Sequence, residues 1–141
     1  MPGMRSTDRF CLPVDIESYV DRLAGRLRPL FILLFDSQVR GTAGRHSDYD
    51  LFVVAPDLPT DYWKRLDLLW AGKPAWVDVI AFTPEELAQV LHRGLVLDAL
   101  LDGVLLWGDE RSFTQWRGQG QAYIESQGLR KTPWGYFKRA A

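Results

Sequence analysis

The chain has 141 residues, the size of a single domain at roughly 100–200 residues per domain, which excludes a two-domain enzyme. Hydrophobic residues make up 47 % and charged residues 25 % of it, the composition of an average globular protein and not of a disordered or collagen-like one. The formal net charge of −1 hides an asymmetry: residues 1–110 carry 11 Lys/Arg against 17 Asp/Glu, whereas 111–141 carry 6 against 1.

In chain order, Pro13 to Arg28 predicts an amphipathic helix, with Ile16, Val20, Leu23 and Leu27 at three- and four-residue steps on one face. Leu30–Phe35 is a continuous apolar run of strand length, the pattern of a strand buried on both sides. Asp36–Ser47 is polar, holds Gly41 and Gly44, and reads as a loop. A second strand follows over Tyr49–Ala55. Thr60 is placed to cap a helix running to Trp70, whose stripe would be Tyr62, Leu66, Leu69 and Trp70.

Ala75–Phe82 predicts a third strand. Thr83-Pro84-Glu85-Glu86 then combines a capping box with proline at the first helical position. The helix it opens is expected over Glu85–His92, with His92 favourably placed at the negative end of the dipole. Leu95–Leu101 predicts another helix and Val104–Trp107 a short fourth strand. Ser112–Gln127 has helical character, but Gly118 and Gly120 argue against a continuous helix. Strands alternating with helices imply a small α/β (α+β) domain over 1–110, a mixed sheet with flanking helices. Residues 111–141 form a basic, aromatic extension expected to pack on the domain or on a partner.

Several classes of protein are set aside. Apolar runs such as Pro29–Phe35 and Leu51–Ala55 fall far short of the ~20 residues of a membrane-spanning helix. No apolar stretch with a cleavage site follows Arg5 and Arg9, so a cytoplasmic protein with no membrane partner is expected. Cys11, the one cysteine, has no Cys or His at metal-ligand spacing. His46 and His92 do not form a metal pair, and Gly118-Gln119-Gly120 lacks the third glycine and preceding strand of a dinucleotide fingerprint.

The chemistry concentrates where strands begin. Asp48 and Asp50 stand two apart at the mouth of the second strand, so their side chains share one face and can converge on a cation. Hard carboxylate oxygens suit Mg²⁺ or Mn²⁺, often with substrate phosphates completing the shell. A third carboxylate, Asp78, interrupts the apolar strand Trp76–Ile80, where an unpaired buried charge would be costly. If the two strands are neighbours, three carboxylates line one pocket, the donor set used for phosphoryl and nucleotidyl transfer. Upstream, Ser37, Arg40 and Gly41 supply a hydroxyl, a forked donor and a sharp turn for gripping phosphate. Taken singly, each of these features is ordinary turn or cap chemistry; their conjunction is what points to a site.

That conjunction resembles the signature of the minimal nucleotidyltransferases of the DNA polymerase beta superfamily: Gly-Ser, ten residues, Asp-x-Asp, and a later third acidic residue. Here Ser37 is followed by ten residues and then Asp48-Tyr49-Asp50, Arg40-Gly41 matches the frequent Arg-Gly of the family, and Asp78 matches its third carboxylate. The resemblance implies a nucleotidyltransferase that takes a nucleoside triphosphate, ATP foremost. Asp48, Asp50 and Asp78 would be its catalytic and metal-binding residues, and Asp36, Ser37, Arg40 and Gly41 would lie against the nucleotide. It also resembles the antitoxin half of two-gene modules whose partner is a helical HEPN-type toxin, so a tyrosine of that partner is the implied acceptor.

One position departs from the pattern: Asp36 stands where the family has glycine, bringing a negative side chain to the triphosphate. A catalytically weak or inactive domain that neutralises or scaffolds a partner by binding is therefore the rival reading. The tail Arg130–Arg139 mixes basic and aromatic residues, the ingredients of single-strand nucleic-acid binding. Aromatics folded back on the domain, or on a second copy in a homo-oligomer, explain it as well.

Overall fold

The computed structural model describes residues 12–35 and 49–138. A four-stranded sheet runs β1 (Phe31–Phe35), β2 (Tyr49–Val54), β3 (Val77–Phe82) and β4 (Val104–Gly108) in the spatial order β3-β2-β1-β4. β1 pairs antiparallel with β2 and β4, whereas β2 and β3 are parallel. The sheet is thus mixed, and helices cover both faces.

On one face, α1 (Val14–Leu27) turns Ile16, Tyr19, Val20, Leu23 and Leu27 inward onto Ile32, Leu51, Val53, Val77 and Leu106. Acidic Asp15 and Glu17 in its first turn and Arg26 in its last suit the helix dipole. α2 (Tyr62–Trp70) lies on the same side, and Tyr19 donates its hydroxyl proton to the Leu69 carbonyl near its end. On the opposite face, α3 (Pro84–Gln89), α4 (Gly94–Asp102) and α5 (Glu110–Gln127) bring Leu87, Val96, Leu100 and Phe113 onto Phe31, Leu33, Phe52 and Val54.

The expected order of helices and strands is found, with differences that have physical causes. The cap of α2 is Asp61, whose carboxylate accepts from the Trp63 amide, and not Thr60. Only Leu69 of α2 is buried, while Tyr62 and Trp70 are exposed, so the expected apolar stripe does not become a buried face. The capping box at Thr83 forms in both directions, yet the helix ends at Gln89, so His92 falls beyond it.

α5 is continuous through both glycines. Gly120 is buried beside Leu97 and Leu100 of α4, and the packing of the two helices outweighs the ~1 kcal/mol cost of glycine in a helix. Phe113 rests on Phe31 at 5.6 Å between ring centroids, and the Arg117 guanidinium lies 4.5 Å over Phe113 while its Nε donates to the Leu100 carbonyl.

After α5 the chain forms a two-stranded hairpin, β5 (Leu129–Thr132) and β6 (Gly135–Lys138), that the local sequence did not predict. The Thr132 hydroxyl closes its turn, donating to the Gly135 carbonyl and accepting from the Trp134 amide. Lys131 and Tyr136, opposite each other in the register, face α4: Lys131 reaches Asp98 at 3.3 Å and Asp102 at 2.7 Å, and Tyr136 donates to Asp98 at 3.2 Å. Trp134 and Phe137 face away and are exposed.

Candidate active site

β1 is the sheet's centre and ends at Phe35; β2 returns beside it, with Phe35 opposite Asp50. Along β2 the side chains alternate, so Leu51 and Val53 enter the α1 side while Asp50, Phe52 and Val54 belong to the other. The parallel register of β2 and β3 sets Asp50 directly opposite Asp78. Neighbouring strands lie about 4.8 Å apart, so two carboxylates emerge side by side from one end of the sheet.

Their surroundings differ. Asp50, on the inner strand, is 8 % exposed. Asp78 is exposed, contrary to the expectation of a charge in a buried strand, because β3 is the edge of the sheet. That edge carries two cations: Lys73 donates to the Val77 carbonyl at 2.5 Å and Arg65 to the Ala81 carbonyl at 3.5 Å. Arg65 is itself held by both oxygens of Glu86, at 2.8 and 2.9 Å. Side-chain cations on an edge strand blunt its tendency to pair with another chain.

Asp50 and Asp78 open into a cleft of about 330 Å³ whose walls include Phe35, Trp70, Lys73 and Leu95. Trp70 and Lys73 flank the turn that feeds β3, and Leu95 comes from the first turn of α4. The sequence reading missed these three as site residues. Trp70 belongs to the apolar stripe expected of α2, and nothing in the spacing of that helix marks it as a wall of the cleft.

The remaining candidates Asp36, Ser37, Arg40, Gly41 and Asp48 lie outside the described residues. Among the described residues no three His, Cys, Asp or Glu side chains form a group suited to a metal ion. The two carboxylates that are described offer hard oxygen donors on neighbouring strands, a chemistry that fits a Mg²⁺-type ion, and Asp48 precedes Asp50 by two positions in sequence. Among the described residues no helix is long and apolar enough to cross a membrane.

No protein-family model matches the chain, and no curated protein matches it. Solved structures do. A toxin–antitoxin complex crystallised with AMP-PNP superposes with a TM-score of 0.55 at 23 % identity, covering 79 % of this chain and 89 % of that one. Two mutants of the toxin–antitoxin pair MntA-HpeT superpose with TM-scores of 0.56 and 0.53, each at 19 % identity and covering 79 % of this chain and 88 % of theirs. In the first of these mutants two aspartates, two positions apart, are replaced by glutamate. With its mixed sheet, its strand-mouth carboxylates and this likeness, the chain has the nucleotidyltransferase fold of the minimal, MntA-like type.

Proposed function

We propose that the protein is a metal-dependent nucleotidyltransferase that moves a nucleoside monophosphate from a nucleoside triphosphate, ATP foremost, to an acceptor hydroxyl on a partner toxin. The observation that carries this reading is the register of Asp50 against Asp78 inside a cleft of a nucleotidyltransferase fold. The AMP-PNP bound by one structural neighbour supports an adenine nucleotide. The paired aspartates altered in another have the spacing of Asp48 and Asp50.

In this reading the acceptor oxygen forms a bond to the α-phosphorus, the bond from that phosphorus to the bridging oxygen breaks, and pyrophosphate leaves. A Mg²⁺ or Mn²⁺ ion bound by the carboxylates would offset the phosphate charge and lower the pKa of the attacking hydroxyl. Asp50, with Asp48, holds the phosphate side. Asp78, exposed on the edge strand, faces the acceptor and takes part in removing its proton. Ser37, Arg40 and Gly41 hold the β- and γ-phosphates. The acceptor is a tyrosine of a helical HEPN-type partner, and the setting is the cytoplasm.

The test is a mass measurement. The chain is incubated with its co-expressed partner, ATP and Mg²⁺; the expected result is one added AMP on the partner, lost in Asp50→Asn while the two proteins still associate. A partner inhibited equally by wild type and Asp50→Asn, without nucleotide and without added mass, would favour the second reading. That reading is a domain that neutralises by binding, and the aspartate at position 36 in place of glycine supports it.

A further inference from the structure

Trp70 ends α2 and is 54 % exposed, yet it forms a wall of the cleft that holds Asp50 and Asp78. An exposed tryptophan on a flat outer surface would be unremarkable. Beside two carboxylates it offers a rigid aromatic face at low entropic cost, the kind of group that seats a ring. Leu95, itself 39 % exposed, adds apolar surface to the same cleft from α4. Lys73 tethers the approach to β3 by donating to the carbonyls of Pro74 and Val77, fixing the turn between Trp70 and Asp78.

Position within the sheet decides which substrate meets this wall. The inner strand β2 carries Asp50, and β1 lies beyond it; Asp78 and the Trp70–Lys73 turn lie on the outer, β3 side. Resting on the proposed transferase reading, in which Asp78 serves the acceptor, we infer that Trp70 and Leu95 form the acceptor subsite, seating the apolar ring that carries the attacking hydroxyl, with Lys73 as a positioning residue. Stacking of the nucleobase on Trp70 is the competing assignment, and it makes opposite predictions.

The experiment follows the indole N–H resonance of Trp70 in the full-length chain, identified by its disappearance in Trp70→Phe. The probes are N-acetyl-tyrosinamide, N-acetyl-serinamide, Mg²⁺-ATP and Mg²⁺-tripolyphosphate. The tyrosinamide probe is expected to move the Trp70 signal and the serinamide probe to leave it in place. Trp70→Ala should weaken tyrosinamide binding roughly three- to tenfold, the scale of one lost aromatic contact, with Trp70→Phe keeping most of it and ATP affinity unchanged. A Trp70 signal that ignores both amides, or an ATP affinity that falls in Trp70→Ala while tripolyphosphate affinity holds, overturns the acceptor assignment. Failure of wild type to bind ATP or tripolyphosphate would instead strike the transferase reading. A Trp70 response confined to tyrosinamide would still uphold the ring-binding wall.

Discussion

Asp50 and Asp78 are cross-strand partners in a parallel pair, one on an inner strand and buried, the other on the edge and exposed. Like charges placed opposite each other in a sheet are destabilising, so their adjacency is a cost that a shared cation would offset in the proposed reading. In the proposed reading the asymmetry of exposure divides their work. Asp50→Asn is expected to abolish the rise in Tm that Mg²⁺ and ATP together produce, since a ligand stabilises only what binds it. Asp78→Asn should retain most nucleotide binding but lose transfer by about 10²–10⁴-fold, the range for a lost proton acceptor. Calorimetric ATP binding alongside pyrophosphate release separates the two; equal loss of binding in both variants would refute the division.

Much of this was legible locally. The apolar runs at Leu30–Phe35 and Leu51–Ala55 and the capping box at Thr83 carry their own signals, because burial on both faces and end-capping are properties of a short segment. Which strand is the edge is a non-local fact, so the exposure of Asp78 and the place of Trp70 in the cleft wall could not be read from periodicity. The continuity of α5 rests on its packing against α4, with Gly120 buried beside Leu97 and Leu100, tertiary contacts that local propensity does not contain. The hairpin carries little local signal because its strands have only four residues each, too short for alternation to register.

Gly108 closes β4 with a φ of +119°, and a Cβ there would meet the Leu30 carbonyl oxygen and the Phe31 Cα at 2.4 Å. Both neighbours are backbone, one the first residue of β1 and the other just before it, and cannot swing aside. Gly108→Ala is therefore expected to cost at least about 2 kcal/mol, the scale of a forced backbone conformation or overpacked core. Urea denaturation should show this as a lower midpoint with an unchanged slope. A loss below about 0.5 kcal/mol would mean that β1 and β4 part more readily than their register suggests.

Glu86 joins α3 to the sheet edge by gripping Arg65 while it caps its own helix. The Arg65 hydrogen bonds, ahead of the opposing effect of burial, hold its pKa below the ordinary 4.5. A carboxylate with a depressed folded-state pKa contributes stability above its unfolded value, and that contribution fades as pH falls through the folded one. The Tm of wild type should drop below about pH 4.5 more steeply than that of Glu86→Gln, which can still cap Thr83 but cannot ionise. Parallel Tm curves from pH 7 to pH 3 would show that the pair contributes nothing measurable.

The hairpin's hold on α4 is expected to fail in alkali, and the order of events follows from its contacts. Burial, aided by the negative charge of Asp98, pushes the Tyr136 phenol up to about 12, and the hydrogen bond to Asp102 raises Lys131 above its usual 10.5. Both folded-state values lie above the unfolded ones, so the stabilisation is complete below pH 10 and is lost as pH climbs through the folded-state values. Ionising Tyr136 would set a phenolate against Asp98, and deprotonating Lys131 would remove the cation that the two aspartates share. Tyrosinate absorbance should therefore show a late step near pH 12 that is missing in Tyr136→Phe. In Asp98→Asn the phenol is still buried but faces no carboxylate, so the step should move toward 10 without reaching it. Trypsin cleavage after Arg130 or Lys131 should become faster in Asp98→Asn at pH 8, because the clamp is weakened there without any titration. A Tyr136 that ionises at the ordinary phenol value of 10.0 would show that the hairpin is not docked on α4 in solution.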